Sequence, residues 1–287
     1  MKKLLLSLSL LILFSAFKND KPAYYFYNNK GKKVKYEEIV KKALEADVVF
    51  FGESHNNPIA HWMEYELTKS FYTSKGENLI LGAEMFERDE QLILNEYLTE
   101  KISKKSFENE ARLWNNYKTD YKPLVEFAKD KHLNFIATNI PRRYASIVYK
   151  KGFDGLDSLY AESKTYIAPL PIEYDPEVSC YKNMLSMQGL GTHVNQNLTK
   201  AQAVKDATMA YSIAGYAEKG KLFLHYNGSY HSDNYQGIIW YLNKYKPGLK
   251  VLTITTVEQP NIDSISEEYQ KQADFILVVP EDMTRTY

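Results

Sequence analysis

The sequence predicts an α/β protein: a mostly parallel β-sheet flanked by helices on both faces, with an irregular, partly helical flap inserted into it. Three observations predict this. Short, largely apolar runs recur at 48–51, 79–83, 133–138, 222–227, 251–255 and 275–279, and only strands covered on both faces tolerate such runs. Segments of helical period separate them, and regular strand–helix alternation is the mark of a parallel sheet. Polar groups of chemical interest follow the first four runs, as expected where ligands bind beyond the carboxyl ends of parallel strands.

The chain of 287 residues is 44% hydrophobic, enough for a substantial core. Residues 1–17 read as a signal peptide, with Lys2 and Lys3 ahead of an apolar stretch and Ser15-Ala16-Phe17 as a small-residue cleavage site. The apolar stretch is shorter than the ~20 residues of a membrane span. Its removal takes two lysines and no acid, leaving 34 basic against 36 acidic residues. So small a charge offers no electrostatic case for binding nucleic acid. Cys180 is the single cysteine, which excludes an internal disulfide and reads as a buried thiol.

Residues 18–46 form an N-terminal extension with a hairpin turn at Asn28-Asn29-Lys30-Gly31 and a short helix over 36–45. The main domain spans 47–287. The run at 48–51 is broken by Gly52, and Asn56-Asn57-Pro58 reads as an N-cap followed by proline at the first helical position. Ile59, Met63, Leu67 and Phe71 carry the next helix on to the loop at Gly76. The second strand, 79–83, ends on Glu84. Helices are expected over 88–98, 107–114 and 121–132, and the third strand ends at Asn139 ahead of Pro141-Arg142-Arg143. Pro169, Pro171, Pro176 and Gly189 break the pattern over about 160–200, which is read as the flap. A helix follows over 199–218, with Thr199 as N-cap, and another over 235–245.

The chemistry-bearing residues are Glu53 and His55 after the first strand, Glu84 after the second, Asn139 after the third, and His225, Asn227 and His231 on and after the fourth. Glu53, His55, Glu84 and His231 are the candidate catalytic residues. Two imidazoles and two carboxylates also suffice to hold a divalent metal with a position open to water. Without a metal the same four can serve as general acid and base, or as a polar network that stitches loops together.

Gly52-Glu53-Ser54-His55 and Gly228-Ser229-Tyr230-His231 are two Gly-x-x-His motifs, with Glu84-Met85-Phe86 between them. Together with Asn139-Ile140-Pro141-Arg142 and Asp206-Ala207-Thr208-Met209-Ala210 they resemble the Tiki superfamily over about 47–280. That superfamily includes Tiki-type metalloproteases and erythromycin-esterase-like hydrolases, and the chain is most similar to its ChaN-like haem-binding uptake proteins. The resemblance implies haem as ligand and a role in haem or iron acquisition in the periplasm or cell envelope. An outer-membrane uptake system and a second copy of the chain on haem binding are the implied partners. Members of the family are commonly lipoproteins, and this sequence has no cysteine at the end of its leader to carry a lipid. A haem carrier needs a Tyr or His axial ligand and an apolar slot. Residues of suitable type in the flap and the helix after it are Tyr181, Met184, Met187, His193, Met209 and Tyr211, and Arg142 can clamp a propionate. The alternative is a metal-dependent hydrolase that holds its ion with His55, His231, Glu53 and Glu84.

Overall fold

The computed structural model describes residues 21–188 and 195–287; the expected signal peptide at 1–17 and the candidate ligand His193 lie outside the described residues. Eight strands make one sheet: β1 (Tyr25–Asn28), β2 (Lys33–Val34), β3 (Val48–Glu53), β4 (Leu79–Glu87), β5 (Phe135–Asn139), β6 (Leu222–Gly228), β7 (Val251–Gln259) and β8 (Phe275–Pro280). Their order is β2-β1-β8-β7-β3-β6-β4-β5. From β8 to β5 every pairing is parallel, while β1 runs antiparallel to both β2 and β8. The N-terminal hairpin is thereby knitted to the sheet, its turn closed by Asn28, whose side chain accepts from the Lys30 and Lys32 amides at 3.0 Å each.

Strand residues alternate between two cores, as the period of two demands. Val49 and Phe51 face one core, packed by α1 (Tyr36–Ala43), α2 (Pro58–Lys75), α3 (Gln91–Leu98), α4 (Lys104–Glu110) and α5 (Lys122–Asp130). Val48 and Phe50 face the other, packed by α6 (Arg142–Lys151) and by later helices. After α6 the chain makes the single turn of α7 (Ala161–Lys164), then α8 (Ser179–Gln188), α9 (Asn197–Tyr216) and α10 (Ile238–Tyr245). Each fully buried Phe or Leu in these layers contributes roughly 1.5–3 kcal/mol of burial free energy.

The connectivity locates the crevice. From β3 the chain leaves through α2, on the first face, and arrives at β4. From β6 it leaves through α10, on the opposite face, and arrives at β7. Adjacent strands β3 and β6 therefore send their connections to opposite sides and in opposite directions. A gap opens beyond their carboxyl ends, where open α/β sheets bind ligands.

Several local expectations are corrected. The helix expected to start at Thr199 starts at Asn197, and Thr199 is buried inside it, 2.6 Å from the Tyr174 hydroxyl. The expected 107–114 helix is α4, which Ser103 caps through the Ser106 amide and which ends before Trp114. A π-helical turn at Tyr117–Tyr121 precedes α5. Helix α6, over a stretch left unassigned by pattern, buries Tyr144, Ala145 and Val148. The stretch read as a flap puts Ile167, Ala168, Ile172 and Tyr181 into the second core, so this part of it is packed against the sheet.

The cap of α2 is testable. Asn57 Oδ1 accepts from the Ile59 and Ala60 amides at 3.0 and 3.2 Å, and its Nδ2 donates to Glu258 at 3.0 Å. Asn57→Ala is expected to cost about 0.5–2 kcal/mol in urea unfolding, with Asn57→Ser recovering most of it. Equal losses in the two variants would assign the effect to the Glu258 contact instead.

Candidate functional site

Glu53 is the last residue of β3, and the turn Ser54–Asn57 places His55 at the mouth of the crevice. Gly228 ends β6 and leads into a single 3-10 turn that carries His231. Both glycines are required by close approach. A Cβ on Gly52 would lie 2.9 Å from Ser229 Cα, and one on Gly228 would lie 2.8 Å from the His55 ring. The two Gly-x-x-His motifs thus interlock, each glycine making room for the other motif.

Glu84 lies inside β4, one residue beyond the last pair that β4 makes with β6 and within a break in register against β5. Its carbonyl accepts from the Asn139 side chain at 3.0 Å, and its carboxylate accepts from the Gly228 amide at 2.8 Å. His231 Nε2 lies 3.1 Å from Glu84 Oε1, and His231 Nδ1 lies 2.5 Å from Asp206 Oδ1 on α9. Tyr181 donates to the other Asp206 oxygen at 2.7 Å.

The other half of the site is built on Glu53. Its Oε1 accepts from Tyr121 at 2.6 Å and lies 2.7 Å from His55 Nδ1. His61 on α2 lies 3.4 Å from Glu53 Oε2 and 3.2 Å from Glu64 Oε2. The His55 ring packs edge-on against Trp114, and its Nε2 makes no hydrogen bond to a described residue. Both halves open into one cavity of about 810 Å³, walled by Leu113, Trp114, Ile140 and Met184, with Arg142 and Lys205 among its cations.

The electrostatics separate the two histidines. Burial works against a charge on His231, but Glu84 and Asp206 outweigh it and raise its pKa to about 10. Glu84 is buried too, yet the His231 charge holds its carboxyl well below the usual range. Asp206 goes the other way: complete burial, with a smaller contribution from Glu84, raises it although His231 and Tyr181 both bond to it. His231 is thus held between Glu84 and Asp206. Both His231 nitrogens lie against carboxylates. At His55, burial is outweighed by the Glu53 hydrogen bond and the nearby carboxylates, and the pKa rises.

Glu53, His55, Glu84, His231 and Arg142 all line the cavity. Arg142 already donates to Glu87 at 2.5 Å, with the rest of its guanidinium exposed. Tyr181 and Met209 are buried in the second core and do not reach the cavity, and Tyr211 lies on the outer side of α9 between Arg88 and Tyr245. Of the flap candidates, Met184 lines the cavity. His225 is wholly buried and bonded to Thr138 and Asn227, and burial lowers its pKa to about 4. Sequence reasoning did not assign the parts played by Asp206, Tyr121, Glu64 and His61. Their signal is polarity at core positions: His61, Glu64 and Thr68 recur on the buried side of α2, and Asp206 interrupts an alanine-rich helix.

Residues 39–242 match the family described as haem-binding uptake, Tiki superfamily, ChaN. No curated protein matches the chain. Among solved structures, ChaN of Campylobacter jejuni, described as binding haem cofacially, aligns with a TM-score of 0.65 at 19% identity, over 89% of this chain and 96% of that one. A succinoglycan biosynthesis protein aligns at 0.53 with 13% identity, over 90% and 94% of the two chains. A protein from Bacillus cereus aligns at 0.50 with 13% identity, over 85% and 90%. At such identities the likeness is one of fold.

The His231 ion pairs carry a pH dependence. A histidine raised from ~6.5 to about 10 on folding adds stability that is complete below ~6.5 and is lost as the pH climbs toward 10. The urea midpoint should fall across that window, and His231→Gln should flatten the fall. An unchanged slope in the variant would show that His231 is not held as a charged group.

Proposed function

Because the chain belongs to the haem-binding uptake family of the Tiki superfamily, the ChaN group, we propose that it binds haem in the cavity at the carboxyl end of its sheet and serves haem or iron acquisition. The observation that carries the placement is His55. His55 would hold the haem iron: Nδ1 is anchored on the Glu53 carboxylate at 2.7 Å, and Nε2, at the cavity wall, has no hydrogen-bond partner among the described residues. A carboxylate behind a ligating imidazole fixes its orientation and raises its basicity. The space left by the missing Gly228 side chain lies against this same ring edge.

Other features suit the same ligand. The volume of about 810 Å³ falls in the range of small-molecule sites. Trp114, Leu113, Ile140 and Met184 provide apolar wall, and Arg142 and Lys205 provide cations for propionates. Bound haem would supply an iron centre whose state is set by the axial ligand and the polarity around it. This chain's residues would seat the ring, hold His55 in position and neutralise the propionates.

Acquisition at the envelope rests on the leader at 1–17 and on the family. Among the described residues no helix is long and apolar enough to cross a membrane. An outer-membrane uptake system and a second copy of the chain are the partners this reading entails. A second reading, hydrolysis, is favoured by one observation: two histidine–carboxylate pairs, Glu53–His55 and Glu84–His231, face one cavity across Gly228. Such pairs are suited to general acid and base work.

Haemin titrated into the purified chain should give a saturable Soret shift. His55→Ala should change the band position and weaken binding by about 10–100-fold, and the double change Arg142→Ala, Lys205→Ala should weaken binding without moving the band. An identical spectrum and affinity in His55→Ala would place the iron ligand elsewhere. Ester hydrolysis by the haem-free chain, lost in Glu84→Gln, would favour the second reading.

A further inference from the structure

Beneath the cavity floor, on the far side of Glu53 from His55, three ligand-type side chains converge in the interior. One ligand atom from each of Glu53, His61 and Glu64 lies within 4.8 Å of the other two, and all three residues are buried. The orientation of His61 is fixed from behind. Its Nε2 lies 3.0 Å from the His55 carbonyl oxygen, which can only accept, so Nε2 carries a proton. Asp120 reinforces this side at 3.4 Å, and is itself held by the Asn116 amide at 2.7 Å. The remaining nitrogen, Nδ1, therefore faces the two carboxylates.

Among the described residues, Glu53 Oε2 and Glu64 Oε1 are buried without a hydrogen-bond partner, although the other oxygen of each is engaged. Two carboxylates and an imidazole thus converge in the interior, where unpaired groups are costly, and either a metal ion or a proton shared by Glu53 and Glu64 can answer them. A proton on His61 Nδ1 can serve Glu64, but it leaves both orphaned oxygens as they are. A metal ion serves all of them together.

The spacing agrees. Tetrahedral ligands at metal bonds of about 2.0–2.1 Å stand about 3.3 Å apart, and Nδ1 lies 3.4 Å from Glu53 Oε2 and 3.2 Å from Glu64 Oε2. A ligating histidine whose other nitrogen is bound to a carbonyl and a carboxylate is the usual outer arrangement at metal centres. We propose that Glu53, His61 and Glu64 form a buried site for a divalent first-row cation of the Zn²⁺ type, distinct from the haem-binding surface of the cavity. One nitrogen and two or three carboxylate oxygens suit such an ion. The ion would join the end of β3 to α2 and, through the two oxygens of Glu53, fix the carboxylate that orients His55.

The test uses the full haem-free chain, stripped with chelator and titrated with Zn²⁺ and, separately, with Co²⁺. One equivalent should bind, the Co²⁺ form should show d–d absorption of a nitrogen–oxygen site, and the melting temperature should rise on loading. His61→Ala and Glu64→Gln should each lower Zn²⁺ affinity by at least about tenfold, while His231→Asn leaves it unchanged. Failure of the wild-type chain to bind a stoichiometric ion would overturn the proposal and leave a shared proton between Glu53 and Glu64. Loss of binding in His231→Asn with retention in Glu64→Gln would overturn it too, by moving the ion into the cavity. The Co²⁺ spectrum of the wild type needs no variant to fold, and Glu64→Gln preserves the side-chain shape where His61→Ala does not.

Discussion

A carboxylate buried at the end of a central strand must be satisfied from within, and Glu53 is that carboxylate. Three pieces of the chain converge on it: the turn with His55, the start of α2 with His61, and the π-helical turn with Tyr121, whose cap Asn116 holds the His55 backbone carbonyl. Burial alone would raise its pKa, but the charge of His61 and the hydrogen bond from His55 reverse the sign and lower it. The Tyr121 phenol, raised by burial and by Glu53 itself, remains a donor. Removing the carboxylate would strand these donors around an apolar hole, which is why local structure at the crevice depends on it more than on any single apolar contact.

The second half of the site follows the same logic with opposite partners. Here the buried imidazole of His231 is central, and Glu84 and Asp206 answer it from two different elements. Glu84 can do so because the register breaks beyond Ala83, so that β4 turns its side chain away from regular pairing. Chemistry at this edge is therefore a product of irregular backbone: a strand-end glycine, a break in register and a π-helical turn. The regular part of the sheet supplies rigidity, and the departures from it aim the side chains.

Much of this was legible beforehand. The unbroken apolar runs specify buried parallel strands, and residues just past them collect at one edge by topology alone, so Glu53, His55, Glu84 and His231 could be grouped without coordinates. What could not be read is which face of a helix looks inward when both faces carry apolar residues. Helix α9 buries residues nearly all round, so its pattern did not distinguish buried Met209 from exposed Tyr211, or mark Asp206 as interior. In α2 the apolar stripe is legible, but nothing in the pattern marks Glu64 and Thr68 beside it as interior, because polarity is ordinarily a sign of exposure. Helix α6 escaped notice because its buried positions are few and set among lysines, arginines and tyrosines.

The order of strands also bears on how the chain can come to be folded. β3 and β4 are joined through a single helix yet share no pairing, because β6, emerging much later in the sequence, lies between them. A growing polypeptide that has not reached residue 222 holds two strands with no partner for their facing edges, and the space between them stays open until the insertion is made. Closure of such a non-local gap is slow relative to hairpin or helix formation, and the unpaired edges are exposed to aggregation in the meantime. The same late strand delivers Gly228 and His231, so the crevice is completed at the moment the sheet becomes continuous. Fragments cut anywhere between β4 and β6 would then lose sheet and crevice together.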